Sequence, residues 1–232
     1  MDDLALLTVR DAAKVYEGPE GGVAALRGVS FQVQPGELIA VRGPSGCGKS
    51  TLLHLIGAMD RPSSGEILLR GQDIGRLSVE ELARLRRRQI GFVFQAFHLL
   101  PTFTVVENVA LPLLLDGQSP RSARARAAEL IDQVGLAPRS EHFPSQLSGG
   151  EMQRAAVARA VVAGPDLLLA DEPTGNLDSA SGRRVMELLA EMNRRLGVTV
   201  LLATHSDEAA AYARRTLRLR DGLLEAGGIV VE

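Results

Sequence analysis

Cysteine is nearly absent from this chain of 232 residues, in which Cys47 is the only one. A single thiol cannot form a disulfide within the chain, and this fits a reducing compartment. Cys47 is either a small loop residue or a redox-sensitive thiol. A surplus of basic residues is also lacking, because 26 lysines and arginines face 28 aspartates and glutamates. The composition therefore gives no global attraction to nucleic acid, and we expect no nucleic-acid partner.

Long hydrophobic runs are absent as well. The longest apolar stretch, VVENVALPLLL from Val105, contains Glu107, Asn108 and Pro112. It is far shorter than the roughly 20 residues that cross a bilayer. The opening residues MDDLALL are acidic and lack the basic flank of a signal peptide. We therefore expect a cytoplasmic protein that contacts a membrane only through a partner.

One local basic run stands out from this balanced composition. It consists of Arg84, Arg86, Arg87 and Arg88. It is either a solvated helix face or a contact with a partner or an anionic lipid.

Short strands and helices alternate along the chain. A first strand near residues 7–15, a strand-turn-strand segment from Phe31 and a hairpin from Ser64 predict an antiparallel β lobe. From Leu167, LLLADEP predicts a buried strand, and a helix follows over residues 179–196 and stops at Gly197. The segment VTVLLATH then predicts a second buried strand, and this order indicates a parallel sheet with right-handed crossovers. Residues 95–163 are mostly helical in pattern.

The segment GPSGCGKST fits the phosphate-binding pattern G-x-x-x-x-G-K-[ST]. It follows the apolar strand ELIAV and precedes a helix, which is the context that this motif requires. Its glycines allow backbone N–H groups to point at phosphate oxygens. Lys49 supplies a charge for the β and γ phosphates, and Ser50 offers its hydroxyl to Mg²⁺. The predicted nucleotide-binding residues are Gly43, Pro44, Ser45, Gly46, Cys47, Gly48, Lys49, Ser50 and Thr51.

Two adjacent carboxylates, Asp171 and Glu172, end the predicted strand LLLAD. Ligands of open α/β sheets bind at this end of the strands, and successive strand residues point to opposite sides. We predict that Asp171 holds Mg²⁺ and that Glu172 is the general base for the attacking water. His205 ends the next strand, within reach of the γ-phosphate, and Gln95 follows the apolar run IGFVF, within reach of Mg²⁺. The predicted catalytic residues are Lys49, Gln95, Glu172 and His205, and the predicted metal ligands are Ser50, Gln95 and Asp171.

A second anion site is predicted at LSGGEMQR, which begins at Leu147. A serine and two glycines precede an alanine-rich helix there, and bare N–H groups at a helix N-terminus attract anions. A monomer that uses one nucleotide has no evident need for two such sites.

Together these motifs resemble the ATP-binding cassette of ABC transporters, from Tyr16 to His205. The resemblance implies an α/β fold, namely a P-loop NTPase with a RecA-like parallel-sheet core, an antiparallel β lobe and an inserted helical lobe. In a single domain of residues 1–232, the β lobe and core take about 1–94 and 164–232, and the helical lobe about 95–163. ATP and Mg²⁺ are the implied cofactors, and ATP hydrolysis is the implied reaction.

The resemblance also assigns individual residues. Gln95 is the Q-loop, Asp178 belongs to the D-loop GNLDS, and His205 is the switch histidine. Tyr16 is the aromatic residue that stacks on adenine, and a strand residue packed on the β lobe is its alternative role. The signature motif, which would cover the ATP of a second copy, consists of Ser148, Gly149, Gly150 and Glu151.

The implied assembly is an ATP-dependent dimer of this chain beneath an integral-membrane permease. FHLLPTFTVVENVALPLLL from Phe97 and ADEPTGNLDS from Ala170 look like the lipoprotein-release and macrolide-efflux branch. Permeases of that branch have few helices and a large extracytoplasmic domain, and the stretch from Phe97 to Leu115 is either their docking surface or ordinary core. The chain would then lie on the inner face of the cell membrane.

Two departures and two rival functions accompany this resemblance. Met152 stands where glutamine or arginine is frequent, and Ser206 follows the histidine where aspartate is common, which puts the orientation of His205 in question. The first rival is a soluble ABC-type ATPase of DNA repair or translation, although such proteins usually carry a coiled-coil insertion or two fused cassettes. The second is a nucleotide binder without turnover, against which the intact Lys49, Asp171, Glu172 and His205 argue.

Overall fold

The computed structural model describes residues 5–18 and 21–231 and arranges their strands in two sheets. The strands are β1 (Leu7–Tyr16), β2 (Val23–Val33), β3 (Leu38–Arg42), β4 (Ser64–Leu69), β5 (Gln72–Asp73), β6 (Ile90–Phe94), β7 (Leu167–Asp171), β8 (Thr199–Thr204), β9 (Arg215–Arg220) and β10 (Leu223–Val231). The first sheet is antiparallel, in the order β2-β1-β4-β5. The second has the order β10-β9-β3-β8-β7-β6. Its strands are parallel except β10, which runs antiparallel to β9.

Seven α-helices connect and cover these strands in the described part of the chain. They are α1 (Lys49–Ile56), α2 (Val79–Arg88), α3 (Val105–Leu115), α4 (Pro120–Gln133), α5 (Gly149–Val161), α6 (Ser179–Leu196) and α7 (Asp207–Ala210). Short 3₁₀ turns occupy Ile74–Arg76, Ala137–Arg139 and Pro144–Gln146. The helix α6 has the predicted bounds, because Asp178 caps its first turn and Gly197, with a φ of 68°, ends it in the left-handed conformation. None of the described helices combines the length and the apolar character that crossing a membrane requires.

The central strands are apolar on both faces because both faces are covered. Leu168 and Val200 belong to a core that they share with α3, α4, α5 and α6. Their neighbours Leu167 and Leu201 point the other way, into a core that includes α1 and the antiparallel sheet. This alternation explains why the predicted buried strands are continuous hydrophobic runs.

The parallel register places the functional loops along one edge of the large sheet. Phe94 lies opposite Asp171, and Asp171 lies opposite Ala203. Arg42, which precedes the phosphate-binding segment, lies opposite Thr204. The loops that carry Gln95, Glu172, His205 and Gly43 therefore leave neighbouring strands at their carboxyl ends, where ligands of such sheets bind.

The hairpin from Ser64 and the parallel core are as predicted. The segment from Phe31 was assigned to the antiparallel lobe, but its second strand is β3 and lies in the large sheet, parallel to β8 and β9. The hairpin of β9 and β10 was not predicted. Its turn is Asp221-Gly222, and both residues have positive φ values, 49° and 78°. Asp-Gly is the preferred dipeptide for such a two-residue turn, so the sequence contained the signal.

The basic run lies on α2, where the guanidinium of Arg86 donates to Ala58 O at 2.6 Å and that of Arg88 approaches Asp116 at 2.8 Å.

Candidate active site

The loop between β3 and α1 brings backbone donors to the sheet edge. Gly48 has a φ of 107°, and a Cβ atom there would lie 2.5 Å from Ala25 O. A Cβ atom on Gly43 would lie 2.0 Å from Leu219 O. Only glycine fits these two positions, which explains the spacing of the motif. Because Gly48 offers no side chain to cap α1, the first N–H groups of that helix can meet an anion.

Lys49, the first residue of α1, is buried under this loop. Its Nζ donates to Gly43 O at 2.8 Å and to Pro44 O at 3.1 Å. The same Nζ lies 3.8 Å from Oε1 of Glu172. One ammonium group therefore connects the phosphate-binding loop to the predicted general base.

Asp171 ends β7 and faces α1, where the side chain of Ser50 lies beside its carboxylate. Burial raises the pKa of Asp171, although Ser50, His54 and Lys49 favour its ionised form. Its Oδ1 is buried and has no hydrogen-bond partner among the described residues. A buried carboxylate oxygen that no protein donor satisfies suits a hard cation, and Mg²⁺ is commonly held by one carboxylate, a hydroxyl and substrate phosphates. Asp171 and Ser50 thus fit the magnesium site that the sequence predicts.

Glu172 follows β7 directly, and its side chain contacts His205. It has a φ of 45°, which a non-glycine residue seldom adopts, and its N–H donates to Ala203 O at 2.9 Å. Its Oε1 lies 2.9 Å from Nδ1 of His205, and its Oε2 accepts from the His205 N–H at 3.3 Å. Because a carboxylate only accepts, this contact requires a proton on Nδ1. The Nε2 atom of His205 is then the atom left to face a ligand.

Ser206 contributes to the orientation of this histidine. Its side chain caps α7 by accepting from the N–H of Ala209 at 3.3 Å, and its own N–H donates to Oγ1 of Thr204 at 3.0 Å. The serine that departs from the aspartate common in the family therefore serves as a helix cap. The residues before and after His205, Thr204 and Ser206, are thus fixed by hydrogen bonds.

Gln95 bonds to Asn176 rather than to Ser50 or Asp171. Its Nε2 donates to Oδ1 of Asn176 at 3.1 Å, and its carbonyl accepts from Nδ2 of Asn176 at 3.1 Å. No hydrogen bond joins it to either predicted metal ligand in the described part of the chain. Its coordination of Mg²⁺ stays a prediction, and Asn176 is a partner that the sequence analysis did not assign.

The segment Ser148–Gly150 opens α5, a different helix from α1, which the phosphate-binding loop opens. Ser148 caps the helix, and its hydroxyl and N–H both lie 2.8 Å from Oε2 of Glu151. These bonds from Ser148 hold the pKa of Glu151 below its usual value. A Cβ atom on Gly150 would lie 2.9 Å from Oγ of Ser181 on α6, so this glycine is needed for the close packing of two helices. The predicted anion sites are therefore separate within one chain.

Comparison with known proteins decides the family. The model of the ABC transporter family matches residues 26–175. The lipoprotein-releasing system ATP-binding protein LolD of Geobacter metallireducens is 50% identical over 222 residues, which cover 96% of this chain and 99% of that protein. This chain belongs to the ABC transporter family. The LolD 2 protein of Caulobacter vibrioides is 48% identical, over 95% of this chain and 96% of that protein.

Solved structures of ABC cassettes agree with the fold. The dimeric post-hydrolysis state of the ATP-binding cassette MJ0796, bound to ADP and Pi, is 39% identical and superposes with a TM-score of 0.88, over 95% of this chain and 97% of that one. A second dimeric structure of MJ0796 is 40% identical, with the same TM-score. The chain has the α/β fold of a P-loop NTPase and is the ATP-binding subunit of an ABC transporter. Its reaction is the ATP hydrolysis of ABC-type ATPases, which confirms the enzyme class that the sequence implies.

Tyr16 ends β1 at the rim of this ABC cassette, with 40% of its surface exposed. Nζ of Lys14 lies 5.0 Å from the ring centroid and 2.7 Å from Oδ1 of Asp60. Although partial burial works the other way, hydrogen bonds from Lys14 and Arg61 hold the pKa of Asp60 below its usual value. Tyr16 is thus an exposed aromatic ring on a braced strand end, which suits stacking on a base.

Asp178 and Gln153 complete the loops around the site. Asp178 accepts from the N–H groups of Ser181 and Ala180, which lowers its pKa and commits its carboxylate to the start of α6. Gln153 is fully buried, and its Nε2 donates to Phe94 O at 3.1 Å and to Pro173 O at 2.7 Å. It ties the signature helix to the ends of β6 and β7. Gln153 was not predicted, because LSGGEMQR was interpreted as an exposed anion site.

Proposed function

We propose that this chain is the ATPase subunit of a lipoprotein-releasing transporter, which drives a membrane permease by closing and opening a cassette dimer. The two LolD relatives support this proposal, because they are 50% and 48% identical over at least 95% of this chain. Because these matches span nearly the whole chain, only a small part of it lies outside the likeness to a transporter ATPase. A soluble ATPase without a permease is the less favoured alternative.

For the nucleotide, we infer that ATP lies on Gly43–Thr51, with its adenine on Tyr16. Lys49 would exchange its bonds to Gly43 O and Pro44 O for bonds to phosphate oxygens, which carry more negative charge. Ser50, Asp171 and, after a movement, Gln95 would hold Mg²⁺. The unsatisfied Oδ1 of Asp171 supports this set. When bound, Mg²⁺ would neutralise charge on the phosphates.

For hydrolysis, Glu172 would be the general base and His205 would orient it. The Oε1–Nδ1 bond of 2.9 Å would fix the carboxylate, while Nε2 of His205 would face the γ-phosphate. Nζ of Lys49, at 3.8 Å from Oε1, places a positive charge beside this carboxylate. A water between Glu172 and the γ-phosphate would give its proton to Glu172 as it attacks.

The second anion site finds its use in a dimer. Ser148, Gly149 and Gly150 of one copy would cover the γ-phosphate bound by the other, with Glu151 beside them and Asp178 near the dimer axis. The dimeric structures described for MJ0796 support such an assembly. ADP lacks the phosphate that both copies share, so the dimer would open after hydrolysis.

A groove between α2, β6, α3 and α5 is the proposed permease dock. Its volume is about 320 Å³, and its lining includes Phe92, Phe94, Pro112 and Arg159. Of the stretch from Phe97 to Leu115, Val105, Val109 and Leu113 are core residues, whereas Leu100 and Leu115 are 41% and 63% exposed. The exposed members, rather than the whole stretch, would contact a cytoplasmic helix of the permease. This contact would hold the chain on the inner face of the cell membrane.

Purification from native membranes tests the proposal. A tagged chain is expected to copurify with an integral-membrane protein of few helices and a large extracytoplasmic domain. After reconstitution in liposomes, the complex should release an acylated lipoprotein with ATP but not with ADP. A matched lipoprotein without its acyl chains is the control substrate. Purification without any membrane partner, or release that is equal with ADP, would contradict the proposal.

A further inference from the structure

The side chain of Gln95 packs on two residues of the loop that follows β7, Gly175 and Asn176, which we call its seat. Its main-chain carbonyl and its side-chain amide each bond to the side chain of Asn176, both at 3.1 Å. Because Asn176 uses its acceptor and its donor at once, it grips the main chain and the side chain of one residue. This double contact specifies where the amide of Gln95 lies, which a single surface hydrogen bond would not do.

Gly175 makes room for the same amide. A Cβ atom at this position would lie 2.7 Å from Nε2, 3.0 Å from Cδ and 3.3 Å from Cγ of Gln95. The side chain of Gln95 therefore lies flat across the glycine along its length. Gly175 has no positive φ, so its backbone conformation does not itself require glycine. The missing side chain serves the contact with Gln95.

The seat is part of the segment that leads to the signature motif. Leu177 follows Asn176, and its Cδ2 would lie 3.3 Å from a Cβ atom on Gly149. Asp178 then caps α6. A shift of residues 175–178 would therefore disturb the seat of Gln95 and the packing of Gly149 together.

We propose that Gly175 and Asn176 hold the Gln95 amide away from the nucleotide, so that Gln95 binds Mg²⁺ only after it leaves this seat. The inference rests on the proposed function, in which Gln95 becomes a metal ligand. Asn176 is then a positioning residue that competes with the metal for Gln95. Because residues 175–178 also contact the signature motif, closure of the dimer is the event that would free Gln95.

Metal affinity gives a direct test that does not depend on turnover. Mn²⁺ is titrated into the full chain with a non-hydrolysable ATP analogue, and free Mn²⁺ is measured by electron paramagnetic resonance. The protein is kept at a concentration at which sedimentation shows monomers. Asn176→Ala removes the two competing bonds, so Mn²⁺ should bind about three- to tenfold more tightly. Gly175→Ala should act in the same direction, because its Cβ displaces the flexible end of Gln95.

Three further variants separate the seat from a general effect on the loop. Asn176→Asp keeps an acceptor for Nε2 but loses the donor to Gln95 O, and should lie between wild type and Asn176→Ala. Ser179→Ala, an exposed change in the same segment, should leave the Mn²⁺ affinity unchanged. In a Gln95→Ala background, Asn176→Ala should have no effect. Thermal unfolding midpoints confirm that each variant is folded.

The outcomes distinguish failure of the seat from failure of the metal role. If Gln95→Ala weakens Mn²⁺ binding but Asn176→Ala and Gly175→Ala leave it unchanged, the seat is refuted and the metal role stands. If Asn176→Ala acts equally with and without Gln95, the seat is refuted as well. If Gln95→Ala does not weaken Mn²⁺ binding even in the Asn176→Ala background, the metal role is wrong and the inference falls with it.

Discussion

Replacement of Glu172 by glutamine removes one function of this side chain and keeps another. The amide oxygen of glutamine can still accept the hydrogen bond that Nδ1 of His205 makes at 2.9 Å. It cannot take a proton from water at neutral pH, and a general base contributes about 10²–10⁴-fold to a rate. Glu172→Gln should therefore lower the hydrolysis rate at least 100-fold, which corresponds to about 3 kcal/mol or more of transition-state stabilisation.

ATP binding should survive in the same variant. The Glu172 carboxylate lies 3.8 Å from Nζ of Lys49. The neutral amide of Glu172→Gln attracts this lysine less, so Lys49 remains available to bind phosphate. The Kd for ATP should stay within about threefold of wild type, and ATP should hold a stable dimer in gel filtration because the nucleotide persists. Single-turnover hydrolysis of labelled ATP and equilibrium binding measure the two effects. Glu208→Gln, an exposed change beside the same cleft, is the matched control. A Glu172→Gln variant that hydrolyses ATP within threefold of wild type would refute the assignment of the base.

Three further predictions concern the dimer, the metal site and the permease. Mixing Ser148→Arg with Lys49→Ala subunits should restore ATPase activity well above either variant alone, since one intact site forms per mixed dimer; no gain on mixing argues against sites shared between copies. Because burial raises the pKa of Asp171, Asp171→Asn should raise the free energy of unfolding at pH 7 without nucleotide. Urea unfolding should show this gain shrinking as the pH falls through the raised pKa of Asp171 and vanishing below the usual aspartate pKa, where both states are protonated; a gain that persists at low pH points to another cause. Leu115→Glu should weaken copurification with the permease at least tenfold while ATP binding is unchanged, and an unaltered pull-down rules out that surface.

Local sequence patterns were sufficient for the elements that position the site. The run LLLAD and the segment VTVLLATH became adjacent parallel strands, since continuous hydrophobic runs are stable only when both faces are covered. The bounds of α6 followed from a capping aspartate and a terminal glycine. Strand alternation does not by itself separate Asp171 from Glu172, because Glu172 lies one residue beyond β7 with a φ of 45°.

Contacts between distant segments were beyond the same reasoning. The bonds between Gln95 and Asn176 join residues 81 apart in sequence, and nothing local indicates them. The buried Gln153 likewise belongs to a motif whose first residues are exposed, so its bonds to Phe94 and Pro173 appear only when α5 packs against the sheet. Lys14 and Tyr16 share one face of β1 by their spacing, but Asp60, which bonds to Lys14, comes from the loop between α1 and β4.

The N-termini of α1 and α5, the two predicted anion sites, differ in the number of free N–H groups and in the charge beside them. The start of α1 has no side-chain cap, because Gly48 provides none, and Lys49 lies beneath it. The start of α5 is already occupied by the capping box of Ser148 and Glu151, and the low pKa of Glu151 keeps a negative charge there. A phosphate is therefore attracted to α1 by a single copy, whereas α5 must give up an internal bond and tolerate a nearby carboxylate to meet one. In the proposed dimer, this asymmetry makes ATP bind first to its own loop and makes closure by the partner weak enough to reverse once the γ-phosphate is gone.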